Sequence, residues 1–369
     1  MKVLVTGANG FIGKNLVTHL NENENIEIIK FDRNDDFKLI EENIKDIDFI
    51  FHLAGVNRPV ETKEFYEGNF DLTKSLVDLI NKENPEVKLM ISSSIQAALD
   101  NDYGKSKKMA EDYIKENIKN SYVFRFHNVF GKWCRPNYNS VIATFCNNIA
   151  NDLDIRVDDP NKELELIYID DICYTMLDLL KGNEKDIEQK DGIYYINPRY
   201  KVTLGKIVEM LNEFKNDMNS IYIPSTGDDF TKKLFATFVS YIPLDKDMTE
   251  TVKHTDERGS FTELVRTLSA GQFSISTSKP GIVRGNHYHH TKMERFIVVK
   301  GKAKITFESI LDGSREEFIV DDTNIKIITI PVGYSHNIEN IGDDEMILCM
   351  WCNELFNEEK PDTYRKVIK

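Results

Sequence analysis

The chain has 369 residues, 41% of them hydrophobic and 29% charged, enough for two globular domains each with its own core. A net charge of -14 excludes general affinity for nucleic acid or anionic lipid and leaves room for a local basic pocket that takes a phosphate-bearing ligand. No apolar run reaches the roughly 18 residues of a membrane span, the opening Met1-Lys2-Val3 leads straight into a strand, and five scattered cysteines read as reduced thiols, so a cytoplasmic protein is expected.

Lys2 to Thr6 is a short apolar run that stops at glycine, and Phe11 to Leu20 carries apolar residues at helical spacing. Further strands are expected at Ile26 to Phe31, Asp48 to Leu53, Val87 to Ser92 and Tyr122 to Phe126, with helical patterns between most of them. This alternation predicts an α/β, doubly wound, Rossmann-type domain with a parallel sheet. The pattern weakens between Ile221 and Pro243, and short strand-like runs then take over at Gly259 to Val265, Gly271 to Thr277, Glu294 to Val299, Lys302 to Glu308, Ile325 to Ile330 and Glu345 to Trp351. These predict an all-β barrel, with domains over 1–243 and 244–369. Cys349 and Cys352 form a lone C-x-x-C inside the last run and are expected as strand residues.

The turn Gly7-Ala8-Asn9-Gly10-Phe11-Ile12-Gly13 sits between strand and helix. Its glycines let the backbone turn tightly and approach a pyrophosphate, while the helix start offers unpaired N–H groups to the anion. Asp32, 19 residues past Gly13 at the end of the second strand, is placed for a ribose hydroxyl. The spacing G-x-x-G-x-x-G resembles the short-chain dehydrogenase/reductase superfamily in its extended, sugar-nucleotide-modifying branch. Asp48, His52, Ala54 and Gly55 match the D-x-x-x-H-x-A-G stretch of that branch, so Leu53, Ala54 and Gly55 are expected beside the cofactor, and Asn69 falls where the family keeps an asparagine. Arg33 suits a 2′-phosphate and Asp32 opposes one; the resemblance favours NADPH.

Tyr103 and Lys107, four apart on one helix face, suit proton exchange with a substrate oxygen, because a nearby ammonium favours the phenolate. By the resemblance Ser94 bonds that oxygen and Lys107 also meets the nicotinamide ribose. Arg125 to Gly131 resembles the R-x-x-N-V-Y-G stretch that leads into the substrate region, which makes Asn128 and Arg135 candidate substrate ligands, Arg135 for a pyrophosphate. His127 in that stretch reads as a buried histidine without chemical duty.

Gly281, His287, His289, Glu294 and Gly301, followed by Pro331, Gly333, His336 and Asn340, fit the two motifs of a cupin. His287 and His289 two apart on a strand would share a face, and with Glu294 and His336 they supply imidazoles and a carboxylate suited to zinc, iron, nickel or manganese. Asp256 to Glu263 and Arg284 to Tyr288 also resemble the cupin-fold deoxynucleotide-sugar 3,5-epimerases. That likeness makes Arg258 and Arg284 phosphate ligands and His287 a general base, with His290 as an alternative ligand. Base and ligand are incompatible roles for one imidazole. The cupin spacing favours His287 as ligand.

Reductase first and cupin second, the whole chain resembles a family of bifunctional capsular polysaccharide enzymes. The resemblance implies C3 epimerisation and then NADPH-dependent C4 reduction of a UDP-2-acetamido-2,6-dideoxy-4-hexulose, on the route to N-acetyl-L-fucosamine, in a zinc-containing homodimer. The alternatives are a single-function reductase or 4-epimerase whose cupin is structural, sugar-sensing or dimerising. Dehydration is disfavoured because Ile95 and Gln96, not an acidic pair, follow Ser94.

Overall fold

The computed structural model describes residues 1–369 apart from 221, 247, 251–252, 257–258, 263–265, 268–271 and 355–358, and only the main chain at 246, 253–256, 259–262, 266–267 and 272–275. The chain divides into two compact units, Met1–Ser140 with Leu164–Val202, and Val141–Glu163 with Thr203–Lys369.

The first unit is built on strands β1 (Lys2–Thr6), β2 (Glu27–Phe31), β3 (Phe49–His52), β4 (Lys88–Ser94) and β5 (Ser121–Phe126), in the spatial order β2-β1-β3-β4-β5, extended by Ile193–Tyr194 and Gln189–Lys190. The five labelled strands pair in parallel. β3 is buried along its whole length, as a strand covered on both faces must be. Leu4, Ile50, Leu89 and Val123 of the sheet pack with Leu76 and Ile80 of helix Leu72–Glu83 and with Ala110 and Ile114 of helix Asp102–Asn117. This is the expected doubly wound Rossmann-type fold. Its chain order reverses between β1 and β3, and their carboxyl ends open the crevice where such sheets bind ligands.

In the second unit, strands Met248–Glu250, Lys326–Ile330, Glu294–Lys300, Met346–Cys352 and Gln272–Ser278 form one antiparallel sheet. Strands Arg315–Asp321, Lys302–Ser309, Tyr334–Asn340, Val283–Tyr288 and Tyr364–Arg365 form another. Phe296, Ile305, Phe307, Ile328, Ile338 and Leu348 fill the core of this all-β, cupin-type region. Helices Val141–Ala150, Leu204–Met218 and Asp229–Val239 belong to the same unit, where the Phe214 and Phe235 rings meet at 4.9 Å. Cys349 and Cys352 lie on one strand as free thiols. Among the described residues no helix is long and apolar enough to cross a membrane.

Candidate active sites

At the end of β1 the main chain turns through Gly7, whose φ is +68° and whose Cβ, if it had one, would lie 2.7 Å from Ala54 N. A Cβ on Gly13 would overlap the Gly7 carbonyl oxygen. Helix Phe11–Asn21 begins after Gly10, which offers no side-chain cap, so the first N–H groups stay available to an anion. Asp32 ends up against this loop. Its carboxylate accepts from Asn9 N at 2.6 Å and Arg33 N at 2.8 Å, and the Arg33 side chain is exposed. The glycine cradle and the β2 carboxylate therefore meet as the spacing predicts.

Leu53, Ala54 and Gly55 leave β3 beside this cradle, with Leu53 N on Thr6 O and Ala54 N on Thr6 Oγ1, both at 3.2 Å. His52, just before them, joins three elements. Its Nδ1 lies 2.7 Å from Thr6 Oγ1 and its Nε2 2.8 Å from Thr73 Oγ1. Thr73 donates to Asn69 O, so Nε2 carries the proton and Nδ1 accepts. Burial, helped by the Lys107 charge, lowers the His52 imidazole to about 3 and keeps it neutral.

Tyr103, Lys107 and Ser94 converge at the end of β4. Asn101 caps helix Asp102–Asn117 by accepting from Gly104 N at 2.8 Å, which sets Tyr103 on the first turn. Ser94 is the side chain that acts on the Tyr103 hydroxyl, and the tyrosine ring lies 5.6 Å from that of Phe65. Lys107 Nζ donates to Ser92 O at 3.2 Å and packs on Gly55, where a Cβ would come within 2.8 Å of both Nζ and Asn69 Oδ1. Burial lowers the ammonium to about 8. The phenol differs from the expectation that Lys107 would depress it. Burial pushes Tyr103 up, only Ser94 acts the other way, and the lysine is turned to the Ser92 carbonyl.

A residue missed in the sequence braces this corner. Glu111, one helical turn beyond Lys107, accepts a two-point contact from Arg125 (2.9 and 2.7 Å) and a 2.5 Å bond from Ser93. The helix bearing Tyr103 and the serine end of β4 are thus tied to β5. Further on, Asn128 is exposed and donates to Glu165 O at 3.3 Å. Arg135 is exposed and lies over the Tyr138 ring at 5.2 Å, with Arg58 over the same ring at 5.8 Å. His127 Nε2 stands 3.4 Å from Glu165, and burial lowers its imidazole.

In the second unit a bulge at Gly285 and Asn286, both with positive φ, shifts the register so that His287 comes opposite His336. His289 lies just past the end of strand Val283–Tyr288, so the two histidines do not share one regular strand as expected. They are nonetheless brought together. The His287 ring is 5.1 Å from His289 and 4.7 Å from His336, and Glu294 Oε2 is 3.2 Å from His336 Nε2 and 3.5 Å from His289 Nε2. Each of His287, His289, Glu294 and His336 can present a ligand atom within 4.8 Å of the others.

The donor set fits a divalent metal. His289 Nε2, His336 Nε2 and Glu294 Oε2 are buried without a well-formed hydrogen bond. Burial, then the neighbouring His336 and His289, lowers His287 to about 4, and burial lowers His336, so these two imidazoles are neutral as ligands must be. Burial alone would raise the Glu294 carboxyl, but His289 and His336 outweigh it and hold it well below the usual range. His290, the alternative ligand, is outside this group, its ring 5.6 Å from Tyr288 and 4.8 Å from Tyr364. Arg284 is exposed on the strand of His287, and Arg258 lies outside the described residues.

The model of the NAD dependent epimerase/dehydratase family matches residues 3–194. The chain belongs to that family. The likeness to individual relatives runs further, over the whole length of the chain. It is 42% identical to UDP-2-acetamido-2,6-beta-L-arabino-hexul-4-ose reductase of Pseudomonas aeruginosa, across 99% of this chain and 98% of the relative. The crystal structure of capsular polysaccharide assembling protein CapF from Staphylococcus aureus matches at 41% identity with a TM-score of 0.68, covering 100% of both chains. Residues 254–364 match the Polysaccharide biosynthesis C-terminal domain. UDP-glucose 4-epimerase of Thermotoga maritima, at 19% identity and a TM-score of 0.53 over 65% of this chain and 98% of its own, shares the fold.

Proposed function

We propose that the protein is a bifunctional nucleotide-sugar enzyme, with a reductase region over 1–243 and a metal-binding cupin over 244–369. On this reading it epimerises C3 of a UDP-2-acetamido-2,6-dideoxy-4-hexulose and then reduces the C4 ketone with NADPH, on the route to UDP-N-acetyl-L-fucosamine. The observation that carries the reading is the presence of two assembled clusters on one chain, Tyr103 with Ser94 and Lys107, and His287 with His289, Glu294 and His336. The reductase name and 42% identity of the P. aeruginosa relative support the substrate class.

The 4-keto group makes the C3 proton acidic, and reduction of the ketone removes that acidity. Epimerisation must therefore come first, and reduction traps the inverted sugar. NADPH when bound would supply the hydride, and a divalent cation held by His287, His289, Glu294 and His336, zinc by preference for this donor set, would supply positive charge that favours an enolate. Gly7, Asn9, Gly10, Phe11, Ile12 and Gly13 hold the pyrophosphate; Asp32 and Arg33 take the adenosine ribose and its 2′-phosphate; Leu53, Ala54, Gly55 and Lys107 border the nicotinamide end. The phosphate repulsion expected of Asp32 is reduced because its carboxylate is already engaged by Asn9 N and Arg33 N. Ser94 orients the ketone and Tyr103 delivers the proton that ends on O4, its proton-bearing form being favoured by burial. Asn128 and Arg135 hold the substrate in the reductase, Arg258 and Arg284 its diphosphate in the cupin. The enzyme works as a homodimer in the cytoplasm, where its five cysteines stay reduced.

Supplying the 4-keto sugar in heavy water without NADPH tests this. Deuterium is expected at C3, Tyr103→Phe should keep that exchange and lose reduction, and NADPH consumption by a protein that never exchanges C3 refutes the two-step reading. That last result would favour a second reading, a reductase whose cupin holds a structural metal, to which four protein ligands in one closed set also point.

A further inference from the structure

The carboxyl-terminal segment returns along the strand that carries His287. Tyr364 pairs with Tyr288 and Arg365 with His287, the two tyrosine rings stack at 5.4 Å, and Lys366 N donates to Asn286 O at 2.8 Å. Just before this pairing Asp362, with φ of +39°, aims both its carboxylate and its carbonyl at the loop that follows Tyr288. The carboxylate accepts from His290 N at 3.0 Å on Oδ1, and from Thr291 N at 2.8 Å, Thr291 Oγ1 at 3.0 Å and Lys292 N at 2.6 Å on Oδ2. Lys292 Nζ in turn grips Pro361 O at 2.5 Å and Thr363 Oγ1 at 3.1 Å.

The main-chain carbonyl of Asp362 lies 2.5 Å from His289 Nδ1. A carbonyl can only accept, so Nδ1 carries a proton, and of the two ring nitrogens only Nε2 can offer a lone pair to a metal. That is the nitrogen 3.5 Å from the Glu294 carboxylate.

We propose that Asp362 is a positioning residue for the metal centre. Its carboxylate clamps the 290–292 turn, and that clamp holds its own carbonyl on His289, fixing the ring's orientation and the tautomer that ligates through Nε2. The inference rests on the reading of His287, His289, Glu294 and His336 as metal ligands. An acceptor of two lone pairs per oxygen is needed for so many converging donors. Asn at 362 keeps one such oxygen and Ala keeps none.

The test uses the full-length protein with zinc alone as probe, its affinity read by competition with a chromophoric chelator, beside 15N shifts of the His289 ring in metal-free protein. Wild type should bind zinc and His336→Ala should not. Asp362→Ala should lose about 10–100-fold in affinity, the size usual for a partner that orients a ligand. Asp362→Asn should lose less, and Thr291→Val, which deletes one bond to the same carboxylate and serves if Asp362→Ala does not fold, should lose least. In Asp362→Ala the His289 proton should redistribute between the two nitrogens. Wild-type zinc affinity and an unchanged Nδ1–H in the Asp362 variants overturn the inference and leave the metal site standing. A wild-type protein that binds zinc no better than His336→Ala overturns the metal reading itself.

Discussion

Replacing Lys107 by Met should abolish ketone reduction and yet stabilise the first unit at neutral pH. The ammonium is buried, bonded to Ser92 O at 3.2 Å, and burial brings it from its ordinary 10.5 to about 8 against the opposing pull of Glu111. A drop of that size is a penalty of about 3 kcal/mol on the charged form at pH 7. Between about 8 and 10.5 the unfolded lysine holds a proton that the folded one has released, so wild-type stability rises with pH through that window. From pH 7 to pH 9.5 wild type should gain about 2 kcal/mol relative to Lys107→Met. Methionine also leaves Ser92 O without its donor, at a cost of about 1 kcal/mol, but that loss does not depend on pH and cancels from the comparison. Urea unfolding at the two pH values, followed at Trp133 with Trp351 replaced by Phe in both proteins, measures the difference. A stability gap that stays flat over this range would refute the buried-charge argument.

Gly13→Ala should cost about 1–3 kcal/mol, because the new methyl meets main-chain atoms of Gly7 and Ala8 that cannot rotate away, and should raise the Kd for NADPH measured by nicotinamide fluorescence. His52 is held neutral at about 3 in the fold but takes a proton below 6.5 when unfolded, so its contribution is complete at pH 7 and is lost as pH falls. Wild type should lose about 2 kcal/mol between pH 7 and pH 5 from this group, a slope that His52→Gln removes in acid-titrated unfolding. Glu294→Gln should reduce bound zinc measured by elemental analysis without changing reduction of a sugar already inverted at C3, since Tyr103, Ser94 and Lys107 are untouched.

What the sequence made legible were motifs whose residue types are set by chemistry at close range. The glycine turn, Tyr103 with Lys107, and the H-x-H and Glu294 spacing each span at most two consecutive elements and the turn between them, so a short window suffices to read them. Strand Arg315–Asp321 escaped because charged residues occupy much of its length and leave no apolar run. The supporting groups were hidden for a different reason. Glu111 reads as one more charge on a helix until Arg125 and Ser93 close on it, and Asp362 lies 70 residues from the Lys292 amide it accepts. Lys107 shows the same for energetics: the spacing sets Tyr103 and Lys107 on one helix face, but which carbonyl the ammonium meets and how deeply each group is buried are tertiary facts, and they dominate both groups. Reactive groups can be read from local pattern because the reaction dictates their type. The groups that aim them need only be the right shape and polarity at one point in space, a condition that many sequences satisfy and that no short window records.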